Sequence, residues 1–209
     1  MIDKTIIDSN ETKSVFIIGK ILSDELSKVL EKNRPIVFLC IGTDRSTGDS
    51  LGPLVGDKLT FLTRNKIFLF GNLEFPVHAK NLSSTLLKIK KIHNDPFIIA
   101  IDACLGSTQN IGNIIIESKP IFPGAAVHKN LPPIGDLSIT GIVNISGNLE
   151  FMVLQNTRLF TVMHLADIIS KGIYNCISEL PPPIEVDGFM VNTTTVASLP
   201  TLSRSFRHL

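Results

Sequence analysis

One segment limits what this chain can fold into more than any other. Residues 36–41, Ile36-Val37-Phe38-Leu39-Cys40-Ile41, are apolar without polar alternation, which reads as a central strand covered by protein on both faces. Gly42 ends the run, and residues 43–48 contain no apolar side chain. Leu51, Leu54, Val55, Leu59 and Leu62 then recur at helical spacing. A buried strand that feeds a helix through a short polar loop is half of a β-α-β unit. Such units demand a parallel sheet with helices on its faces. Asp49 falls at the start of the helix, outside the carboxyl end of the strand, in the position where open α/β sheets bind ligands.

The same rhythm continues along the chain. Leu22, Leu26, Val29 and Leu30 describe a short amphipathic helix after a Ser23 cap, and Pro35 closes its connection to the first strand. A second strand is expected over 67–70, ended by Gly71, and a helix starting at Asn81 with Leu82, Leu86 and Ile89 inward. Asp95-Pro96 introduces a third strand over 97–101 that leads into Asp102. Residues 111–117 read as an antiparallel edge strand, because 103–110 is too short for a helical crossover. Residues 119–136 form a long loop rich in Pro and Gly, of the kind that usually serves function. A further strand over 137–145 and a closing helix over 159–173 complete the pattern, which is lost from Pro181-Pro182-Pro183 onward. The expected architecture is a single three-layer α/β/α domain with a mixed, mostly parallel sheet. Its core spans 20–173, and 174–209 form a partly irregular C-terminal extension.

Composition excludes several classes of function. At 209 residues the chain suits one domain. Its formal net charge of +1 leaves no long-range field to attract nucleic acid or an anionic membrane. The apolar runs are far too short to span a bilayer, and residues 1–13 are polar and mixed in charge, unlike a secretory signal. A cytoplasmic location is therefore expected. Cys40, Cys104 and Cys176 are odd in number and lack metal-ligand spacing, which argues against a disulfide framework. Cys104 has no adjoining basic residue to activate it and reads as a small apolar filler.

The candidate chemistry is acidic. Asp49 follows the first strand and Asp102 the third, and strand ends on one edge of a parallel sheet converge, so the pair can flank one ligand. Taken singly, Asp49 reads as a helix cap and Asp102 as a turn acid. Taken together with Asp44 and the glycine-containing loop, they read as a site. Gly71-Asn72-Leu73-Glu74-Phe75-Pro76-Val77-His78-Ala79 places Glu74 and His78 on the same edge, and His128 lies in the Pro/Gly loop. This set of Asp, Glu and His suits a divalent metal. Two carboxylates sharing a proton can equally activate water without one.

The run Cys40-Ile41-Gly42-Thr43-Asp44-Arg45-Ser46-Thr47-Gly48-Asp49-Ser50-Leu51-Gly52-Pro53, with Pro76-Val77-His78-Ala79-Lys80-Asn81-Leu82 and Ile101-Asp102-Ala103-Cys104-Leu105-Gly106, closely resembles the YyaC-type sporulation proteins of spore-forming bacteria. These are similar in turn to the spore germination protease and the hydrogenase maturation endopeptidases (the HybD-like fold). The resemblance implies an α/β fold with a mixed sheet, and Asp49 and Asp102 as a catalytic acid pair. Asp44, Glu74, His78 and His128 then have supporting or substrate-binding roles. It also implies a metal position at Asp49, Asp102 and His128, a protein or peptide substrate, and action in the cytoplasm of the sporulating cell or forespore. Phe122-Pro123-Gly124-Ala125-Ala126-Val127-His128 resembles a Pro-Gly segment of the germination protease.

Three functions remain open at this point. The first is a peptidase in which Asp49 and Asp102 activate water, with loop N–H groups near Gly48 or Gly106 meeting the oxyanion. The second is a regulatory or binding protein that keeps the fold without turnover. The third is a nucleotide or phosphate binder, weakened by the lack of a P-loop Lys and by the repulsion of phosphate by Asp44 and Asp49. Cofactor need, either none or a divalent metal, and oligomeric state are left undetermined.

Overall fold

The computed structural model describes residues 2–62, 64, 66–123 and 133–180. Its elements, in chain order, are β1 (Thr5–Asp8), α1 (Ser14–Glu31), β2 (Ile36–Cys40), α2 (Leu51–Lys58), β3 (Ile67–Phe70), α3 (Leu82–Ile92), β4 (Phe97–Gly106), β5 (Asn113–Glu117), β6 (Leu137–Ile145), α4 (Glu150–Gln155) and α5 (Leu159–Glu179). The strands form one six-stranded sheet in the order β1-β5-β6-β4-β2-β3. β2 runs parallel to β3 and β4, and β4 runs parallel to β6, while β5 is antiparallel to both β6 and β1. This is the single α/β domain with a mixed sheet that the strand-helix rhythm predicts.

Alternation along the central strands divides the core in two. Ile36, Phe38, Cys40, Ile99, Ile101, Leu137 and Ile139 pack with α1, α2 and α5 on one face. Val37, Leu39, Ile41, Ile98 and Ala100 pack with Val77, Leu82, Ile89 and Ile134 on the other, beneath α3. Every residue of β2 is buried, as its unbroken apolar run requires.

Several elements differ from expectation. The first helix begins at Ser14, so Ser23 is not a cap but lies mid-helix, its hydroxyl donating to Glu179 at 3.3 Å. Its first half was masked by a stretch apolar on nearly all sides, Val15 to Ile18, followed by a glycine. That glycine is a packing device: a Cβ at Gly19 would stand 3.1 Å from the Cβ of Asn175 on α5. Strand β1 was not anticipated, since only Ile7 of its residues is buried and so short a strand carries almost no pattern. Its pairing with β5 moves β5 from the edge of the sheet to the position next to it. β4 does not end before Asp102 but continues to Gly106, because β6 remains beside it as far as the pair Gly106↔Ile145. The last helix runs past residue 173 to Glu179 with Cys176 and Ile177 buried, and Arg64 donates to the carbonyls of Ile177 and Leu180 at its end. Ile121 and Ile134 close the base of the Pro/Gly loop as an antiparallel bridge.

The start of α2 is seated on β2 by glycines. A Cβ at Gly52 would lie 2.0 Å from the carbonyl oxygen of Ile41, and one at Gly56 1.9 Å from that of Gly71. These obstacles are backbone atoms that cannot step aside. Gly52→Ala should therefore destabilise the fold by about 1–3 kcal/mol, whereas Gly147→Ala, with nothing within 4 Å, should stay within about 0.5 kcal/mol of the parent. Urea denaturation of the two variants checks this, and equal midpoints would refute the close seating of α2.

Candidate active site

β2 leads through α2 to β3 on one side of it, while the chain returns through α3 to β4 on its other side. The crevice between the carboxyl ends of β2 and β4 is thus the point where strand order reverses, the favoured ligand position in open α/β sheets. Asp49 and Asp102 flank it.

The loop that carries Asp49 is held by its own backbone. Gly42 leaves the strand at φ 143° and donates its N–H to the carbonyl of Val77 at 2.8 Å, and Thr43 N–H donates to the carbonyl of Asp49 at 3.0 Å. A Cβ at Gly42 would sit 1.9 Å from that same Asp49 oxygen, so the close return of the loop needs glycine there. Asp49 lies in a single 3₁₀ turn, Gly48–Ser50, ahead of α2, and its carboxyl makes no hydrogen bond among the described residues. The capping role open to an Asp at a helix start is therefore not the one it plays. Burial without a partner raises its carboxyl above the usual value near 3.8.

Asp102 is the first residue of β4 beyond the reach of β2, whose last pair is Cys40↔Ile101. Its Oδ1 accepts the N–H of Ala103 at 2.8 Å. Burial raises its carboxyl well above 3.8, against the lowering effect of that hydrogen bond, and the charge of Asp49 raises it further. The structure thus brings the two acids into one electrostatic unit, with Asp102 holding its proton the more tightly.

The supporting residues are distributed differently. Asp44 is exposed on the loop, and Glu74 is exposed in the turn after β3. His78 is on the same edge, drawn there by the parallel bridge Ile41↔Val77, but its contacts are those of a helix start. Its N–H donates to Asn81 Oδ1 at 2.8 Å, and its Nδ1 accepts the N–H of Lys80 at 3.3 Å. No described hydrogen bond or ion pair joins Asp44, Glu74 or His78 to the acids. His128 lies outside the described residues. Among those described, no group of three His, Cys, Asp or Glu side chains is placed to hold a metal ion. Gly106 gives its carbonyl to Ser146 N–H at 2.7 Å and is committed to β6, while Gly48 lies beneath Leu154 and Thr157. Burial pushes the Cys104 thiol up to about 11, in keeping with an inert filler.

Sequence reasoning missed two features. The Ser46 hydroxyl in the Asp49 loop is buried without a partner among the described residues; its place in an all-polar loop was the available signal. The second is α4, which with the end of β6 lines an open hollow of about 370 Å³ formed by Asn144, Ile145, Leu149, Met152 and Val153 among others. Asn144 ties the hollow to the site, donating to Thr157 Oγ1 at 3.2 Å, beside Gly48.

The raised carboxyls fix the sign of a pH effect. An acid with a higher pKa folded than unfolded binds more protons when folded, so stability is full below the unfolded value near 3.8 and is lost as pH rises through the folded value. Asp102→Asn keeps the acceptor for Ala103 and removes the buried charge. It should raise the midpoint of thermal unfolding at neutral pH and lose that advantage below about pH 3.8. Thermal melts across pH check this, and an Asn variant less stable than the parent at neutral pH would refute it.

Among known proteins, the chain matches a family described as protein of unknown function (DUF1256) over residues 6–172. It is 51% identical over 156 residues to the uncharacterized protein YyaC of Bacillus subtilis (strain 168), a match covering 75% of each chain. A solved structure similar to it is that of the NiFe hydrogenase maturation protease HycI from Thermococcus kodakarensis KOD1, at 19% identity and a TM-score of 0.41, covering 72% of this chain and 99% of that one. The matched span begins within β1, so the family region reaches back past residue 20 to take in most of that strand and the first turns of α1. The chain belongs to the DUF1256 family.

Proposed function

We propose that this protein is a peptidase of the sporulating cell, acting in its cytoplasm on a protein or peptide substrate, with Asp49 and Asp102 as the catalytic pair. The observation that carries the reading is that two carboxyl groups without an ion-pair partner among the described residues flank one crevice, the charge of Asp49 adding to the burial that raises Asp102. A structural acid would have an Arg, a Lys or a set of backbone donors. Among the described residues only Ala103 N–H serves Asp102, and none bonds the Asp49 carboxyl. Two acids pushed to different proton affinities are the arrangement that acid-base hydrolysis needs.

Asp49, the more readily ionised, takes a proton from a water held between the acids as that water attacks the substrate carbonyl. The carbonyl π electrons move to its oxygen, and the oxyanion needs a backbone N–H donor from the loop that carries Asp49. Asp102 then delivers its proton to the leaving amine as the C–N bond breaks. The base finishes protonated and the acid ionised, and one proton passed from Asp49 to Asp102 restores the resting pair.

The resemblance to the YyaC-type sporulation proteins supplies the cellular setting. Among the described residues no helix is long and apolar enough to cross a membrane.

Two outcomes are expected. Asp49→Asn and Asp102→Asn should each lower cleavage of proteins extracted from spores by about 10²- to 10⁴-fold, measured by mass spectrometry of the products. Loss of turnover by neither variant would refute the assignment, and a wild-type chain that cuts nothing would move the reading to a binding protein. The rate should also be bell-shaped in pH, with an acidic limb set by Asp49 above 3.8 and an alkaline limb set by Asp102 higher still. A rate that fails to fall on both the acidic and the alkaline side would contradict the acid-base roles.

A further inference from the structure

We infer that the overhanging edge of β4 binds substrate as an added strand, so that the crevice recognises an extended polypeptide backbone. This deepens the peptidase reading and rests on it for the identity of the ligand as substrate. It stands on the mismatch in length between β4 and its neighbour. β2 pairs with β4 only as far as Cys40↔Ile101, and Ile41 N–H closes the ladder on Ile101 O at 2.7 Å. Gly42 then turns away to Val77, while β4 continues to Gly106 with β6 along its other side.

In a strand, alternate residues direct both backbone groups to the same side. Phe97 N–H reaches Pro35 and Ile101 O receives Ile41, so the odd residues of β4 face β2. Ile98 and Gly106 bond with Asp136 and Ser146, so the even residues face β6. Ala103 and Leu105 therefore face the side that β2 has vacated. Asp102 Oδ1 takes the N–H of Ala103. The carbonyl of Ala103 and both backbone groups of Leu105 have no partner among the described residues.

Half-buried backbone groups without partners are costly, and native folds rarely leave them so. Acceptor, donor and acceptor repeat here over two residues, about 6.6 Å along the strand. A second extended chain presents the complementary repeat, whereas a nucleotide or a lone anion does not. The overhang begins at Asp102, so the backbone of a strand laid against Ala103 passes beside the acid pair.

The test uses the full chain and two pools of random decapeptides with identical side chains, one with ordinary backbones and one N-methylated at alternate residues in both phases. Amide exchange is followed residue by residue by NMR. In the free chain Leu105 should exchange at least about tenfold faster than Asp102, whose N–H faces β6. The ordinary pool should slow Leu105, and the methylated pool should not. Leu105→Pro, which removes one donor, should weaken binding by about five- to tenfold, while Leu105→Ala, which keeps it, should stay near the parent. Should the proline variant fail to fold, the comparison of pools still decides. Equal binding of both pools, no binding of either, or a Leu105 amide already protected in the free chain would overturn the proposal. Peptides that protect Leu105 yet remain uncut would sustain the added strand and refute the peptidase; peptides cut without any change at Leu105 would do the reverse.

Discussion

The seating of α2 on the end of β2 is the contact on which the site depends. Gly42 and Gly52 let the polar loop and the helix start lie directly against the backbone of Ile41 and Asp49, where any side chain would collide with main-chain atoms. That approach holds Asp49 at the crevice without a salt bridge or a cap. It also explains why the loop tolerates a Ser46 hydroxyl and an Asp49 carboxyl that have no partner among the described residues. The energy that places them comes from the buried helix behind, where Leu51 and Val55 are fully buried.

The second constraint is the unequal length of neighbouring strands. Were β2 as long as β4, the ladder would close beside Asp102 on that side as well. Because Gly42 ends β2 early, Asp102 is held by β6 on one side and left open on the other. A carboxyl in that position is desolvated, which raises its hold on the proton. The same gap that creates the acid pair also leaves the backbone of Ala103 and Leu105 without a neighbour. Proton affinity and room for a ligand thus arise from one feature of the sheet.

Much of this was legible in the sequence, for reasons that are local. An unbroken apolar run such as 36–41 reads as a doubly covered strand, and three such runs, 36–41, 67–70 and 97–101, with helices between them point to a largely parallel sheet. Parallel strands bring their carboxyl ends together, so the convergence of Asp49 and Asp102 follows from their positions after two such runs. β1 and the first half of α1 were not legible. The strand is stabilised by pairing with a partner more than a hundred residues away, Thr5 with Ile116, and the helix start by a glycine that fits Asn175. Neither partner announces itself in a short window.

What the sequence by itself determined is the class of sheet, the edge on which the polar loops gather and the arrival of Asp49 and Asp102 at that edge, because these depend on the periodicity of side chains along a single element. What only the tertiary structure decided is how far each strand runs and what each polar group finds when it arrives. β4 passes Asp102 because β6 stays beside it. His78 turns to Asn81 and Lys80, apart from the acids, because the chain there is starting a helix. Asp49 lacks the cap bond its position suggests because a 3₁₀ turn intervenes before α2. Hydrogen-bond partners and desolvation are properties of neighbours in space, and a chain read in order does not contain them.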